Sequence, residues 1–572
     1  MIFTRIFALA LSVLTILIYF PALHSPFLFD DLPFITYSPL IQDLNNWKEM
    51  YFFNPPRFIG TYSFALNYHF FKDNVFAYHV INLGIHLISA FLVGWLVKLT
   101  WATPGMQNAV KSSRPAGKSP AVNPAMLAAL TALLFAVHPL QTMAVNHITQ
   151  RYTILAAMLY LLAFTLYVNG RLQPARPYYF LFAALAAMAG MFTRQNTITL
   201  PFLIILYEFL FFGFKKIKAS YGFYGLLLAL FILIIPALYS SVGYGFFTTN
   251  SPSQSHDFET ITPLTYFLTQ FRVIPTYLKL FIWPTQLNFD YDFRISSSLW
   301  EPASTLWGGV FLICLLIFTV SMIKKDKLIA FSLLWFFLAL SVESSVLIIP
   351  YVITEYRMYL PSVGLCLLAA YGLLKFVKKP AWLILLSAFL ISALSYLTLE
   401  RNKIWGNEMA LWEDTMKKSP QKSRPYVNLS GAHFMRGHYD EAIFYAQKAL
   451  ELNPQELTAH YNLTSAYSQK GEYATALQCA LRAYELSPSH INNVQLLAYI
   501  YFKLKDYPQA ITYYQKLIEI TPQKEAAITD YIKVILRFYK ETNNKATALD
   551  YAAFLKQFGL DQDVHLLLDS LP

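Results

Sequence analysis

The sequence predicts an all-helical chain with two parts: a multi-span membrane domain at residues 1–400 and a soluble array of helical repeats at 401–572. Three observations predict this division. Hydrophobic residues make up 56% of the chain and charged residues only 13%, about half the charged fraction of a soluble protein. The first part contains many apolar runs near the ~20 residues that cross a bilayer. The second part has an ordinary soluble composition and a regular internal repeat.

About eleven crossings are expected in the membrane domain. The first follows Arg5, and because no clear small-x-small cleavage site comes after it, an uncleaved span is favoured over a signal peptide. The spans are expected near 6–22, 78–97, 125–137, 150–168, 178–193, 197–214, 221–240, 304–323, 328–341, 360–377 and 381–398.

Basic residues between the apolar runs set the orientation. Their clusters lie at 171–176, 215–218, 324–327 and 375–379. Because such clusters mark cytoplasmic loops, loop 23–77 and region 241–303 are expected outside the cytoplasm. The linker at 98–124, rich in Lys, Arg, Pro, Gly and Ser, is expected inside it. The net charge of +11 thus reflects topology, and no nucleic-acid partner is expected.

The segment 265–283 is apolar but carries Gln270, Arg272 and Lys279. A charge at the centre of a span costs ~2.5–3.5 kcal/mol, and counting this segment as a span would place the lysines at 324–327 outside. We therefore expect an amphipathic helix at the external interface. The repeats then emerge on the same face as loop 23–77.

The repeats have the tetratricopeptide period. Prolines recur every 34 residues, at Pro420, Pro454, Pro488 and Pro522, and glycines, tyrosines and alanines recur with the same step. Three units are expected at 423–456, 457–490 and 491–524. Such a solenoid presents a concave surface that usually holds a polypeptide, and a purely structural cap is the alternative.

Two adjacent carboxylates, Asp30 and Asp31, follow the first span directly. A carboxylate beside a region of low dielectric tends to have a raised pKa, which suits a general base. Because adjacent residues do not share a helix face, we expect one of them to meet a substrate while the other orients a group or binds a cation. A solvated cap or turn is the alternative.

Further polar residues are expected to line a cavity at the same side of the bilayer. In the second span, His79, Asn82 and His86 share one helix face, which should look into protein rather than lipid; satisfied interior histidines are the alternative to ligands. External turns add more polar candidates: Arg57, His138, Arg194, Asp290, Asp292, Glu355, Arg357 and Tyr359. Arginines suit a lipid phosphate, with snorkelling anchors as the alternative.

An ordered set of motifs resembles a known family. They are FDD at 29–31, FALNYHFF at 64–71, FAYHVINLGIHLISAFL at 76–92, LLFAVHPLQTMAV at 133–145, TITLP at 197–201, LNFDYDF at 287–293 and EYRMYLPSVG at 355–364. Together with the repeats, they are similar to the transmembrane and tetratricopeptide-repeat glycosyltransferases. These belong to the C-type (GT-C) fold of enzymes that use polyprenyl-phosphate sugars, and the resemblance covers nearly the whole chain.

The resemblance implies transfer of a sugar from a polyprenyl-phosphate carrier to an acceptor outside the cytoplasm, with inversion and without a soluble nucleotide. It implies Asp30 or Asp31 as the base and Arg57, Arg194 and Arg357 as ligands of the carrier phosphate. A divalent metal beside the two aspartates stays open, since relatives of this fold differ on that point.

The chain departs from the family at three places. Met143 stands where glutamate is expected, Arg194-Gln195 where a Lys-Glu pair is expected, and Arg57-Phe58 where the family has Arg-Pro. Three functions stay open: a protein glycosyltransferase whose repeats bind the acceptor, a surface-polysaccharide glycosyltransferase, and a non-catalytic scaffold for envelope assembly. The short external loops favour a bacterial inner membrane, with the repeats in the periplasm.

Overall fold

The structure is a computed structural model that describes residues 2–112, 122–213, 225, 261–349, 351–522 and 524–558. Within these residues every regular element is an α-, 3-10 or π-helix, which confirms the predicted all-helical class. The chain divides into two compact units, Met1–Leu411 and Trp412–Pro572. The division expected after residue 400 stays a prediction. The span expected at 221–240 and the basic cluster at 215–218 lie outside the described residues.

The first unit is a bundle of long apolar helices joined by short helical turns. Its helices are α1 (Ile2–Tyr19), α2 (Trp47–Phe53), α3 (Phe58–Phe71), α4 (Val75–Ala102), α5 (Pro104–Ser112), α6 (Pro124–Val137), α7 (Thr142–Asn146), α8 (Arg151–Leu172), α9 (Tyr178–Met191), α10 (Leu200–Tyr207), α11 (Pro263–Ile282), α12 (Ser304–Lys325), α13 (Lys327–Leu340), α14 (Ser362–Phe376) and α15 (Pro380–Trp405). Helix α16 (Glu408–Lys418) contains the division between the units.

Several helices of this unit are suited to crossing a membrane. Five are long and apolar enough: Val75–Ala102, Ile148–Leu172, Gln195–Phe212, Ser304–Lys325 and Pro380–Trp405. The pair Pro124–Val137 and Pro139–Asn146, bent by 53°, provides a sixth candidate, and shorter apolar helices lie at Ile6–Ala22, Tyr178–Met191, Lys327–Leu340 and Ser362–Phe376. Each span expected within the described residues coincides with one of these helices. The number of crossings stays a prediction.

Helix α11 occupies the segment that the sequence assigns to the membrane surface. It begins at a capping box formed by Thr262 and Thr265, which satisfies backbone N–H groups at its first turn. One face is buried and includes Tyr266 and Tyr277, whereas Ile282 at its end is 77% exposed. The helix therefore has one buried face, and its placement as an amphipathic helix at the external interface stays a prediction.

A buried arginine ties three helices together. Arg151, at the start of α8, donates to the side chains of Asn82 on α4 (2.7 Å) and Asn67 on α3 (2.8 Å). Its guanidinium also lies over the ring of Phe64, 4.4 Å from the centroid. A buried charge is tolerated only when its polar atoms are satisfied in this way. These contacts fix the relative positions of α3, α4 and α8, and Arg57 of the candidate site directly precedes α3.

The second unit consists of paired helices. They are α17 (Ser423–Met435), α18 (Tyr439–Leu452), α19 (Leu457–Gln469), α20 (Tyr473–Leu486), α21 (Ile491–Lys503), α22 (Tyr507–Ile520), α23 (Glu525–Thr542) and α24 (Lys545–Ala552). The first six form three pairs that match the predicted repeats. Gly437 and Gly471 both have φ of +78° where the chain turns between paired helices, a conformation that glycine adopts without a Cβ clash. Ala442 and Ala476 are fully buried.

Candidate functional site

The two aspartates of the FDD turn have different environments. Phe29, directly before them, is in the left-handed region with φ of +50°. Asp31 is only 1% exposed, and its two carboxylate oxygens accept the backbone N–H groups of Leu28 (3.0 Å) and Thr149 (2.8 Å). Asp30 is half-buried. Asp31 therefore fastens the turn to the segment before α8, and Asp30 is the aspartate that a substrate can reach more readily.

Burial governs the chemistry around Asp31. It raises the pKa of Asp31 to about 7, against the opposing effect of the backbone N–H groups of Leu28 and Thr149. The ring of His147 lies beside it, with Nε2 3.6 Å from Asp31 Oδ1 and 3.1 Å from Thr149 Oγ1. Burial lowers the pKa of His147, and the charge of Asp30 opposes that shift. His147 thus lies within electrostatic reach of both aspartates.

The loop with the sequence LNFDYDF packs over this turn. The ring of Phe289 contacts those of Phe29, His147 and Trp405, at centroid distances of 6.2, 5.6 and 5.5 Å. Of the two predicted carboxylates in this loop, Asp290 is 6% exposed and Asp292 is exposed. The structure thus brings the loop to the FDD turn through its aromatic residue.

Arg57 approaches the same turn from the N-terminal end of α3. Its guanidinium lies over the ring of Tyr152, 5.2 Å from the centroid. Burial lowers the pKa of Arg57, the charge of Arg194 lowers it further, and the charge of Asp30 raises it. Arg57 is therefore within electrostatic reach of both Arg194 and Asp30.

Arg194 is held by a carboxylate that the sequence reasoning did not identify. Its Nη2 atom is 2.7 Å from Oε1 of Glu343, its Nη1 atom donates to the hydroxyl of Thr153, and its guanidinium lies over the ring of Tyr356. Glu343 is 2% exposed. The available signal was its position just after an apolar span, the same signal that identified Asp30.

Arg357 has a different environment from the other two predicted phosphate ligands. It is 2% exposed and donates to the backbone carbonyls of Tyr351 (2.6 Å) and Val352 (3.1 Å) and to the hydroxyl of Tyr266 (3.2 Å). These bonds shape the loop that precedes it. The neighbouring Glu355 accepts the hydroxyl of Tyr291 at 2.7 Å.

The predicted histidine face looks into the protein, and its members contact protein groups. His79 Nε2 lies 3.0 Å from the carbonyl of Ser25. His86 contacts the hydroxyl of Tyr359 (2.8 Å) and the carbonyl of Ala136 (3.1 Å). His138, predicted in an external turn and not on this face, is stacked on Phe281, with Nε2 2.9 Å from the Phe281 carbonyl oxygen.

The companion residue Asn82 donates to the carbonyls of Val145 and Ile148 and accepts from Arg151. These contacts favour the alternative of satisfied interior side chains that hold helices together.

The described residues contain no group of three or more His, Cys, Asp or Glu side chains placed to hold a metal ion. At one departure from the family, Met143 is 3% exposed and packs as a buried apolar side chain. At another, Arg194 takes its carboxylate from Glu343, a distant part of the chain.

The fold defines a class: a helical membrane protein with a tetratricopeptide-repeat unit, in which carboxylates and arginines form the candidate site. A family model described as anaphase-promoting complex, cyclosome, subunit 3 matches residues 435–517, within the repeats. Among solved structures, the crystal structure of MamA is 19% identical, with a TM-score of 0.24, and covers 28% of this chain and 90% of that chain.

Curated relatives match most of the chain, including the membrane part. A protein O-mannosyl-transferase of Caenorhabditis elegans is 24% identical over 74% of this chain and 59% of the relative. The protein O-mannosyl-transferase TMTC1 of Homo sapiens is 23% identical over 68% of this chain and 47% of the relative. Tmtc3 of Drosophila melanogaster is 24% identical with the same coverage. These matches confirm the resemblance to the transmembrane and tetratricopeptide-repeat family. The chain spans about half the length of the curated relatives it matches.

Proposed function

We propose that this chain is a membrane glycosyltransferase that moves a sugar from a polyprenyl-phosphate carrier to an acceptor hydroxyl on the extracytoplasmic side. The observation that carries the proposal is the grouping of Asp30 and Arg194 around Arg57, since the charges of both act on Arg57. A base and a pair of cations are what a displacement at a phosphate-bearing sugar carbon requires. The O-mannosyl-transferase names of its relatives support the same reaction class.

In this reaction the acceptor oxygen attacks the anomeric carbon while Asp30 takes the hydroxyl proton. The bond between that carbon and the carrier oxygen breaks, and the carrier phosphate leaves with the bonding electron pair. A positioned general base contributes ~10²–10⁴-fold to the rate of such a step. The cationic side chains stabilise the charge that grows on the leaving phosphate.

Asp30 is assigned as the base because its neighbour has another task. Both carboxylate oxygens of Asp31 already accept backbone N–H groups, and the side chain is almost completely buried. Asp31 is therefore a positioning residue that fixes the turn carrying Asp30. This division of labour matches the expectation that only one of two adjacent residues meets the substrate.

Arg57 and Arg194 are assigned to the carrier phosphate. The charge of one disfavours the charge of the other, and a phosphodiester between them would remove that repulsion while accepting hydrogen bonds from both. Arg357, with its guanidinium on the carbonyls of Tyr351 and Val352, is assigned to hold the loop that places Tyr356 against Arg194.

The repeats are assigned to hold a protein acceptor or a partner of the enzyme. Tetratricopeptide solenoids offer an extended concave surface to polypeptides, and a protein serine or threonine is the proposed acceptor. The basic clusters at 171–176, 324–327 and 375–379 support a topology in which the repeats and Asp30 share one aqueous compartment. We assign that compartment to the periplasm of a bacterial inner membrane.

The donor assignment is tested with the purified chain in proteoliposomes and prenyl-phosphate mannose as the probe. Arg57→Gln and Arg194→Gln should each raise the donor KM about tenfold or more, because each removes a charged hydrogen-bond donor. Arg294→Gln is the control, since Arg294 is 67% exposed and pairs with Glu301 at the surface. Unchanged donor KM in both site variants would contradict the assignment.

The acceptor class is tested separately by intact-mass spectrometry of secreted proteins from cells with and without this chain. Added hexose masses that disappear with the chain are the expected result. Identical protein masses, with a change confined to surface polysaccharide, would exclude a protein acceptor.

A further inference from the structure

Glu343 has one carboxylate oxygen whose role is not explained by the protein alone. Its Oε1 atom binds Arg194 at 2.7 Å, and its backbone carbonyl accepts the hydroxyl of Tyr266 at 2.8 Å. The Oε2 atom is buried and has no hydrogen-bond partner among the described residues. Buried polar atoms in folded proteins are nearly always hydrogen-bonded, so this oxygen calls for a partner that the described residues do not supply.

Two more buried acceptors belong to the same contact zone. One face of α11 packs on the loop after Glu343: Gln270 donates to the carbonyl of Val352 (3.5 Å), and the hydroxyl of Tyr277 donates to the carbonyl of Thr354 (2.9 Å). Within the described chain, Gln270 Oε1 and Thr354 Oγ1 are likewise buried without a hydrogen-bond partner. The zone is therefore rich in acceptor oxygens.

The chemistry of these atoms favours a polyol over a cation. The charge of Glu343 is already balanced by Arg194, so the pair offers no net negative charge to a metal or an amine. A carboxylate oxygen, an amide oxygen and a hydroxyl oxygen can each accept from an O–H group. A sugar supplies several O–H donors without bringing a charge.

We propose that Glu343 Oε2 accepts a hydroxyl of the transferred sugar, and that Gln270 of α11 and Thr354 complete the sugar subsite. This inference rests on the proposed function and deepens it. Sugar and phosphate are covalent neighbours in the donor, just as Glu343 and Arg194 are neighbours in the site. Glu343 is then a specificity-determining residue, while Arg194 binds the phosphate.

The experiment measures equilibrium binding to the full chain in nanodiscs. The probes are a short-chain prenyl-phosphate mannose, its set of mono-deoxy analogues, and the same prenyl phosphate without sugar. In the wild type, at least one deoxy analogue should bind about tenfold or more weakly than the parent, because it cannot donate to a buried carboxylate. This arm requires no variant, so it stands even if a substitution prevents folding.

The variant arm compares Glu343→Gln with Glu301→Gln, whose carboxylate forms a solvated ion pair with Arg294. Glu343→Gln should weaken binding of the parent sugar about tenfold and should abolish the discrimination against that same deoxy analogue. It should not weaken binding of the sugar-free prenyl phosphate. The control should retain the wild-type pattern throughout.

Two outcomes would overturn the inference alone. In the first, every deoxy analogue binds the wild type with the same affinity as the parent compound. Water, and not the sugar, would then be the hydrogen-bond donor to Glu343 Oε2. In the second, Glu343→Gln weakens the sugar-free probe as much as the parent, which would mean that Glu343 acts only by orienting Arg194. Absence of any prenyl-phosphate binding to the wild type would instead overturn the proposed donor and this inference with it.

Discussion

Asp31 should make the folded chain sensitive to pH in a defined direction. Burial raises its pKa to about 7 in the folded state, from the ordinary value of 3.8 that applies in the unfolded chain. A group whose folded pKa is raised contributes a stability that is fully present below about pH 4 and is lost as the pH rises through about 7. The difference between these two pKa values corresponds to about 4 kcal/mol in the free energy of unfolding. The cause is burial, because ionised Asp31 would lose its contact with water.

Asp31→Asn removes this titration. The free energy of unfolding of the wild type, relative to that of the variant, should therefore fall by about 4 kcal/mol between pH 4 and pH 8. The assay is denaturant unfolding in detergent followed by tryptophan fluorescence at several pH values. The exposed Asp292 supplies the control variant Asp292→Asn. A wild-type-to-variant difference that is constant with pH, or that grows as pH rises, would refute the reasoning.

Three further substitutions test the packing. Arg151→Ala should lower the free energy of unfolding by about 3–5 kcal/mol, because it leaves the buried acceptors on Asn82, Asn67 and Tyr78 unpaired at about 1–3 kcal/mol each. Thermal unfolding checks this, and a change below about 1 kcal/mol would contradict it. Gly60→Ala would bring a Cβ atom 2.2 Å from Tyr152 Cδ1, and this overpacking should lower the free energy of unfolding by about 1–3 kcal/mol. Because Arg57 lies over the Tyr152 ring, the variant should also raise the donor KM. A donor KM equal to that of the wild type would show that Tyr152 does not position Arg57. Gly471 has a φ of +78°, so Gly471→Ala should lower the free energy of unfolding of the repeat unit by about 1–2 kcal/mol. Circular dichroism measures the unfolding transition, and an unchanged transition midpoint would contradict the left-handed conformation of this turn.

The repeat unit could be predicted from the sequence because its determinants are local. The 34-residue period places each proline and glycine relative to its own helix pair, and the observed helices fall within the three predicted repeats. Apolar length similarly identified the long helices of the first unit. Both the repeat period and the apolar length are read along the chain, without knowing which distant residues contact one another.

The candidate site could be predicted only in part, because side-chain pairing depends on the tertiary structure. The position of Asp30 and Asp31 after an apolar span identified them, but the burial of Asp31 and its bonds to the backbone of Leu28 and Thr149 distinguish their roles. Glu343 was missed because its partner Arg194 comes from a distant part of the sequence. Arg357 was grouped with the phosphate ligands because sequence cannot reveal that its guanidinium contacts the carbonyls of its own loop.

The central claim is that Asp30 takes the proton of the acceptor hydroxyl. The most direct measurement is the rate of sugar transfer from prenyl-phosphate mannose by Asp30→Asn in proteoliposomes, together with donor binding by the same preparation. Transfer should fall by ~10²-fold or more while the donor still binds. Transfer at the wild-type rate by a folded Asp30→Asn variant would contradict it.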